Sequence, residues 1–273
     1  MILFMRFLTH AWLFFHVSAA PAPTMHAPAP ARVTTAPLVA APAGAAATAQ
    51  SKADGVVDNV QKFYAGIKQV TAQFRQTVTN STFGSKKDSD GTVWLKKPGK
   101  MRWDYLEKKG DTTQVKKSFI SNGSYLYMVE HDNKQVMKKN LANDLMPVAV
   151  SFLYGKGDLK AEFNAAIDAT GKYGAKGDVV LKMTPKKPSA QYKNLILVVD
   201  PSNYRVKQSI IIDSSNNVNQ FQFFAPDFQS EAKDSIFEFD ERSVNKTYRI
   251  IDADAPAPAA PPAAPAAPAP PKK

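Results

Sequence analysis

Apolar side chains recur at steps of three and four residues in the segment that follows Asp54. They are Val56, Val57, Val60, Phe63, Tyr64, Ile67 and Val70. This spacing predicts an amphipathic helix with a wide apolar face, and Asp54 is a residue type that caps the start of a helix well. From residue 71 onward the spacing changes to an alternation of apolar and polar positions, which is typical of β-strands.

The alternation continues over most of the chain and is broken by turn residues such as Pro98-Gly99 and Asn122-Gly123. The predicted strands cover residues 71–80, 90–97, 100–107, 114–121, 124–130, 135–137, 163–169, 178–184, 192–200, 204–213, 217–225 and 235–240. This many antiparallel strands exceed what an open twisted sheet holds flat. The sequence therefore predicts a mainly β fold of the α+β class, an unclosed and strongly curved antiparallel β-barrel of about eleven strands.

Residues 143–155 depart from the alternation. Leu145 and Met146 belong to an apolar run with Pro147 near its start, which predicts a short helix. Asp158 is suited to cap one further helical turn. We expect these short helices and the first helix to form a lid, meaning the helical layer over the concave face of the sheet.

Side-chain parity indicates which residues of the curved sheet face inward, because successive side chains of a strand point to opposite faces. Three neighbouring strands carry apolar side chains in one phase, namely Phe74, Val78, Val93, Leu95, Met101, Trp103 and Tyr105. We predict that these residues line one concave apolar face. The helices are expected to add Val60, Tyr64, Ile67, Leu145 and Met146 to the same site.

Lys97 is a cation in phase with the apolar positions Val93 and Leu95, and Pro98 ends its strand. It is therefore expected at the rim of the concave face. One interpretation is a lysine whose stem lies along apolar surface while its ammonium reaches water. The other is a cation at the mouth of a pocket, which donates hydrogen bonds to backbone carbonyls of the lid.

The net charge is +11, and it is concentrated between Lys86 and Lys139, whereas residues 200–254 are net acidic. A solvated outer sheet face explains most of this charge, and an anionic membrane surface or an acidic protein partner are the sharper alternatives. Nucleic-acid binding is disfavoured, because Arg102 and its neighbouring cations lie mostly on the face opposite the aromatic side chains, whereas a single-strand binding surface needs both together.

The residue types of the chain give little support for a catalytic function. The chain has no cysteine, which excludes disulfides, cysteine–zinc sites, thiol catalysis and lipidation of a cysteine of its own. His131 is the one histidine of the central region, and it lies beside Asp132 in a predicted turn with no second ligand at metal spacing. Most aspartates lie in turns, where they serve the backbone. We therefore expect neither an enzyme nor a cofactor or metal site.

The two ends of the chain differ in composition from its centre. Residues 1–20 are predicted to be a signal peptide, since their apolar run is too short for a membrane span and ends in small residues, and a retained anchor is the alternative. Residues 21–51 and 252–273 are rich in Ala and Pro and are expected to be disordered. One domain is expected over residues 52–251, and a secreted domain without cysteine fits a bacterial periplasm.

A series of short motifs follows a fixed order along the chain. They are the N-terminal amphipathic helix, Phe74-Arg-Gln76-Thr-Val78, Gly91-Thr-Val-Trp-Leu-Lys-Lys-Pro98, Arg102-Trp103-Asp-Tyr105, Ser121-Asn-Gly123, Gln135-Val136, Pro147, Leu181-Lys-Met-Thr-Pro185 and Phe237-Glu-Phe239. Through this ordered series, residues 54–240 resemble the LolA-type proteins, the periplasmic carriers of outer-membrane lipoproteins. Each motif is unspecific alone, and the Lys-Pro and Arg-Trp-x-Tyr elements at this spacing carry most of the resemblance.

The resemblance implies an unclosed barrel whose lid covers a hydrophobic cavity for the acyl chains of triacylated lipoproteins. It implies that an inner-membrane ABC-type transporter loads the carrier and that an outer-membrane lipoprotein receptor unloads it. A monomer is expected. The family commonly has arginine where this chain has Lys97, directly before the proline, and lysine lacks the planar fork with which arginine grips several carbonyls of the lid. Carriage of another lipid, a phospholipid or glycolipid, stays open as the alternative.

Overall fold

The computed structural model describes residues 43–141, 152–154, 157–189, 192–244 and 246–255. Every strand of these residues belongs to one 12-stranded sheet. The strands are β1 (Gln69–Thr79), β2 (Lys86–Lys96), β3 (Lys100–Lys109), β4 (Thr112–Asn122), β5 (Tyr125–Glu130), β6 (Gln135–Asn140), β7 (Phe163–Ile167), β8 (Val179–Pro185), β9 (Asn194–Val199), β10 (Val206–Ile212), β11 (Val218–Asp227) and β12 (Arg249–Asp252).

The sheet is open, and its strand order is β12-β6-β5-β4-β3-β2-β1-β11-β10-β9-β8-β7. Neighbouring strands are antiparallel, except that β12 pairs parallel with β6 at one edge. The two halves of the sheet meet where β1 pairs with β11. The predicted unclosed, strongly curved antiparallel sheet is confirmed, with twelve strands where about eleven were expected.

Within the described ranges, three helices and two 3-10 turns accompany the sheet. They are α1 (Ala43–Gly66), a turn at Phe152–Tyr154, α2 (Leu159–Glu162), a turn at Asp234–Phe237 and α3 (Glu241–Val244). Asp158 caps α2 as predicted, since its carboxylate accepts hydrogen bonds from the backbone N–H groups of Lys160 and Ala161 at 2.9 and 3.0 Å. Among the described residues, no helix is both long enough and apolar enough to cross a membrane.

The first helix begins earlier than its hydrophobic spacing indicates. The sequence predicted a disordered linker to residue 51 and a cap at Asp54, but α1 already begins at Ala43, so the cap and the end of the linker are misplaced. Residues 21–42 of the predicted linker lie outside the described residues. The alanine-rich residues before Asp54 have high helix propensity and extend the amphipathic segment backward. At the other end, order extends beyond residue 251, because the carboxylate of Asp254 accepts a hydrogen bond from the backbone N–H of Asn140 at 2.6 Å.

The predicted strand at 235–240 is also wrong, because this segment passes across the outer face of the sheet instead of joining an edge. Arg102 donates a hydrogen bond to the backbone oxygen of Ile236 at 3.0 Å, and the Phe237 side chain has no exposed surface. A segment that crosses a sheet can alternate buried and exposed residues, and this alternation in the sequence resembles that of a β-strand. The last strand is instead β12, which the sequence did not indicate.

Apolar side chains are buried on both faces of the sheet. The inner core lies between α1 and the concave face. On the outer face, Phe239, Tyr248 and Ile250 cover a cluster centred on β4, β5 and β6, while Tyr173 covers a second cluster on β8, β9 and β10. Strands buried on both faces read as continuous apolar runs, which accounts for the sequence Leu-Ile-Leu-Val-Val in β9.

The stretch around Trp103 serves both faces of the sheet. Trp103 and Tyr105 are buried in the inner core. The side chains of the alternate positions lie outside, where Arg102 donates to both carboxylate oxygens of Asp104 at 3.0 and 2.9 Å and Ser118 donates to the same carboxylate at 2.7 Å. The cations of this stretch therefore fasten the C-terminal residues to the outer face and leave the inner face apolar.

Gly91 lies opposite Phe74 in the β1–β2 pairing, and the Phe74 ring lies across it, so a larger residue at this position should affect stability. A Cβ at Gly91 would meet this ring at 2.5 Å and would also contact the backbone oxygen of Asp104. We expect Gly91→Ala to lower the free energy of unfolding by about 1–3 kcal/mol, as overpacking does in other cores.

The measurement is chemical unfolding followed by circular dichroism, with Gly55→Ala as the matched control. Gly55 lies within α1, and a Cβ added there would meet no other atom within 4 Å. The same substitution at this position should stabilise the protein by about 0.5–1 kcal/mol, because alanine favours a helix over glycine. A Gly91→Ala protein as stable as the parent would show that the Phe74 ring is not held against this backbone.

Candidate functional site

The concave face of the sheet is covered by the apolar side of α1. Ala53, Val57 and Val60 of this helix have no exposed surface, and Tyr64 is buried in its last turn. Their spacing of three and four residues places them on one side of the helix, as the sequence predicts. The helix and the sheet thus form one core in which the helix occupies the space that the curve encloses.

Most of the predicted site residues come together in this core. The buried members are Val60, Tyr64, Phe74, Val93, Leu95, Met101, Trp103 and Tyr105, and Ile67 packs against them half-buried. Leu145 and Met146 lie outside the described residues. Burial raises the pKa of Tyr105, so its hydroxyl stays protonated at any physiological pH.

Val78, which was expected with this group, has the same phase as Phe74 but lies outside the buried inner core and is only half-buried. Gln76, which has the same phase in β1, is buried instead and donates a hydrogen bond to the side-chain oxygen of Asn219 at 2.8 Å. This polar bridge between β1 and β11 ends the apolar face before Val78. Parity alone does not reveal where along a strand such a change occurs.

An aromatic group forms the floor of the concave face. The Phe74 ring lies 5.0 Å from the rings of both Trp103 and Tyr105, in edge-on arrangements, and the Trp103 ring lies 5.4 Å from Phe221. Such contacts add to the free energy of area burial and fix the rings relative to one another. Phe221 was missed by sequence reasoning, although the alternation in β11 carries it in phase with Phe223.

A cavity of about 220 Å³ lies between the last turn of α1, strands β1 and β2, and the ends of β10 and β11. Its apolar lining comes from Tyr64, Val70, Ala72, Val93, Leu95, Leu153, Val206, Phe223, Pro226 and Phe228. Asp200, Arg205 and Lys207 are the charged residues that border it. Extending the phase of Phe74 backward along β1 would have identified Val70 and Ala72, whereas the residues of the β9–β10 turn had no signal in the alternation.

Lys97 ties the end of α1 to the sheet. Its ammonium donates hydrogen bonds to the backbone oxygens of Tyr64 and Ala65, at 2.7 and 2.8 Å. These are carbonyls of the last helical turn, which lack partners within the helix and carry partial negative charge. Of the two interpretations of Lys97, the contact with lid carbonyls is the one observed. Burial lowers the pKa of Lys97.

Further polar contacts attach α1 to the opposite wall. The Tyr64 hydroxyl accepts a hydrogen bond from the backbone N–H of Val206 at 3.1 Å, and burial raises the pKa of this tyrosine to about 12. Gln61 accepts from the backbone N–H of Leu159 at 2.8 Å. The helix end is therefore held by Lys97, directly after β2, on one side of the cavity and by β10 on the other.

Titratable groups of catalytic type do not converge on this site. Within the part of the chain that the structure describes, no three His, Asp or Glu side chains come together as a metal ion would require. His131 is half-buried in the β5–β6 turn, where its Nδ1 lies 2.9 Å from the Tyr248 hydroxyl. Its position there supports the outer-face contact of Tyr248 and is remote from the concave face.

The family model and the similar proteins that match this chain indicate the same protein family. Residues 65–240 match the family model described as outer membrane lipoprotein carrier protein LolA. An outer-membrane lipoprotein carrier protein of Chromobacterium violaceum is 31% identical over 150 residues, which cover 55% of this chain and 62% of that protein. A protein of the same name from Cupriavidus pinatubonensis is 25% identical over 187 residues, or 67% of this chain and 82% of that protein.

Two solved structures are similar at lower identity. A LolA superfamily protein from Nitrosomonas europaea aligns with 68% of this chain and 97% of its own, at 10% identity and a TM-score of 0.37. A conserved protein from Thermus thermophilus aligns with 74% of this chain and 99% of its own, at 9% identity and a TM-score of 0.45. The family assignment rests on the family model, since TM-scores this low add nothing to it.

The contacts of Lys97 predict how firmly α1 is held. Lys97→Met removes both hydrogen bonds to the helix end, and a cation at a partly buried helix C-terminus contributes about 1–2 kcal/mol. Opening of α1 should therefore become roughly 5–30-fold more frequent. Hydrogen exchange followed by mass spectrometry should show faster exchange in the peptides of α1 and unchanged exchange in β9.

Lys96→Met is the matched control, because Lys96 points to the outer face. Its ammonium contacts the carboxylates of Glu231 and Asp234 at 3.1 and 2.8 Å. This variant should speed exchange around residues 231–237 and leave α1 as it is. Equal protection of α1 in the parent and in Lys97→Met would show that the lysine does not hold the helix.

Proposed function

The chain belongs to the LolA family of outer membrane lipoprotein carrier proteins, and we propose that it binds the acyl chains of triacylated lipoproteins under α1 and carries them through the periplasm to the outer membrane. The observation that supports this most is the apolar cavity beneath a helix that is fastened at its end by Lys97. An apolar site under a removable cover is what a carrier of acyl chains needs.

The size of the cavity bears on the mechanism. Its volume of about 220 Å³ lies below the range of about 300–1,000 Å³ that is usual for sites of drug-sized ligands. Several acyl chains therefore require α1 to move away from the aromatic floor. Each methylene that the chains bury is worth about 0.8 kcal/mol, and the contacts of α1 that they displace are lost in exchange. Net affinity is thereby moderated, so that cargo is held in transit and still released.

The partners follow from the same proposal. An inner-membrane ABC-type transporter would supply the energy to load cargo beneath α1, and an outer-membrane lipoprotein receptor would accept it. Closure of α1, favoured by Lys97, would help to expel the chains during the second transfer. In this proposal the protein acts as a periplasmic monomer, binds no nucleic acid and performs no catalysis. The names of the relatives, which are those of lipoprotein carriers, support this assignment.

The composition of cargo taken from the cell tests the proposal directly. We expect the protein, purified from its own periplasm and analysed by mass spectrometry, to contain triacylated peptides, because only these carry several chains on one protein anchor. An otherwise identical preparation of a periplasmic protein without an apolar cavity is the control. Free phospholipid or glycolipid in place of acylated peptides would contradict the proposal and favour the second class of cargo.

The role of Lys97 in transfer can be tested separately. In a release assay to receptor-bearing membranes, Lys97→Leu should load normally but release lipoprotein several-fold more slowly, because the closed position of α1 loses about 1 kcal/mol or more. Lys97→Arg should release at least as fast as the parent, since its fork grips carbonyls more firmly. Lys96→Leu is the control and should match the parent. Equal release by all four proteins would remove Lys97 from the mechanism.

A further inference from the structure

The mouth of the cavity is bordered by the turn between β9 and β10 and by the start of β10, which together bring three charged side chains to an otherwise apolar lining. Two of the three are occupied by protein partners. The Asp200 carboxylate accepts hydrogen bonds from the backbone N–H and the hydroxyl of Ser202 and from the side-chain amide of Asn203. Lys207 forms an ion pair with Asp178, with distances of 2.9 and 3.1 Å to its two oxygens.

Arg205 differs from these two residues. It donates one hydrogen bond, from Nε to the side-chain oxygen of Asn203 at 3.0 Å, and this partner is neutral. Among the residues that the structure describes, no carboxylate lies within ion-pair distance of its guanidinium, and its two terminal nitrogens have no hydrogen-bond acceptor. The Asp200 carboxylate of the same turn is near enough for the charge of Arg205 to contribute, after the hydrogen bonds from Ser202 and Asn203, to lowering the pKa of that carboxyl. An arginine fork in this state is suited to bind a planar or tetrahedral anion through two parallel hydrogen bonds.

The guanidinium of Arg205 lies on the cavity side of the turn. Its central carbon is 6.0 Å from the centre of the Phe228 ring, which lines the cavity and packs edge-on against Phe63 of α1 at 5.5 Å. Arg205 is also close enough to Tyr64 for its charge to oppose part of the rise that burial causes in the pKa of that hydroxyl. A ligand that emerges from the cavity therefore passes this side chain.

The chemical group at the end of the ligand's hydrocarbon chain decides whether Arg205 can bind it. An acyl chain in ester or amide linkage presents neutral oxygens, which a guanidinium binds only weakly. An alkyl carboxylate or alkyl phosphate presents an anion at the end of the chain, which an arginine fork binds more strongly. We propose that the cavity also takes an amphiphile with an anionic head, carboxylate or phosphate, which Arg205 binds at the mouth while the chain lies along Val70, Val93 and Leu95.

Calorimetric titration of the full chain with octanoate, octyl phosphate and octanol tests this. The three probes share a chain and differ in the head. Arg205→Gln should weaken binding of the anionic probes roughly 5–30-fold, the equivalent of one charge-assisted hydrogen-bonded contact at a half-exposed position, and should change octanol binding by less than about twofold. Octanoate and octyl phosphate together distinguish a carboxylate head from a phosphate head.

Lys207→Gln is the comparison variant, because it removes one positive charge from the same border of the cavity, at the start of β10, where the ammonium is already paired with Asp178. Because Lys207 also borders the cavity, its loss should weaken the anionic probes slightly, but clearly less than Arg205→Gln does. Arg205→Lys should retain only part of the anion affinity, since it keeps the charge and loses the fork. The unfolding midpoints of the variants show whether each one folds as the parent does.

Three results would overturn the inference: no binding of the anionic probes by the parent, equal losses for octanol and the anions in Arg205→Gln, or an equal loss in Lys207→Gln. The assay contains no lipoprotein, so its outcome is independent of the transfer assay above. A protein that transfers lipoproteins but fails this titration is a carrier without an anion site. A protein that binds the anionic probes through Arg205 but does not transfer lipoproteins has the anion site without the proposed cargo.

Discussion

The seating of α1 in the curve of the sheet is the packing interaction on which the rest of the structure depends. Ala53, Val57 and Val60 are fully buried against strands that would otherwise present an aromatic surface to water. The same helix occupies the space that the proposed acyl-chain ligand would need. Stability of the empty protein and affinity for ligand therefore compete for one surface, and any change that strengthens the helix contact weakens binding by a related amount.

Much of the fold could be predicted because burial on one or both faces imposes simple periods on the sequence. The inward phase of Val93, Leu95 and Trp103 follows from alternation alone. The failures have physical causes. The start of α1 depends on helix propensity in an alanine-rich segment, whose small side chains give the hydrophobic spacing little contrast. The segment around Phe237 alternates because it crosses the sheet, and alternation does not distinguish a crossing from a strand.

The candidate site was predictable where a residue broke a pattern and unpredictable where no pattern existed. Lys97 stood out because a cation in an apolar phase requires a partner, and the partner proved to be the end of a helix. Val78 lies outside the buried core because the buried pair of Gln76 and Asn219 interrupts the apolar face, a pairing across distant strands that parity does not contain. Arg205 lies in a turn, where side-chain direction follows from the turn geometry and not from a period.

The pairing of β1 with β11 has a consequence for how the chain reaches this structure. The side chains of Gln76 and Asn219, which meet at that seam, are 143 positions apart in the sequence. Loop-closure entropy opposes such a pairing until the intervening strands are in place, so folding should be slow and should end with this seam. Before that, the edge of β1 and the aromatic floor beside it are exposed to other chains. The newly made protein thus passes through an aggregation-prone interval, in which it needs protection itself.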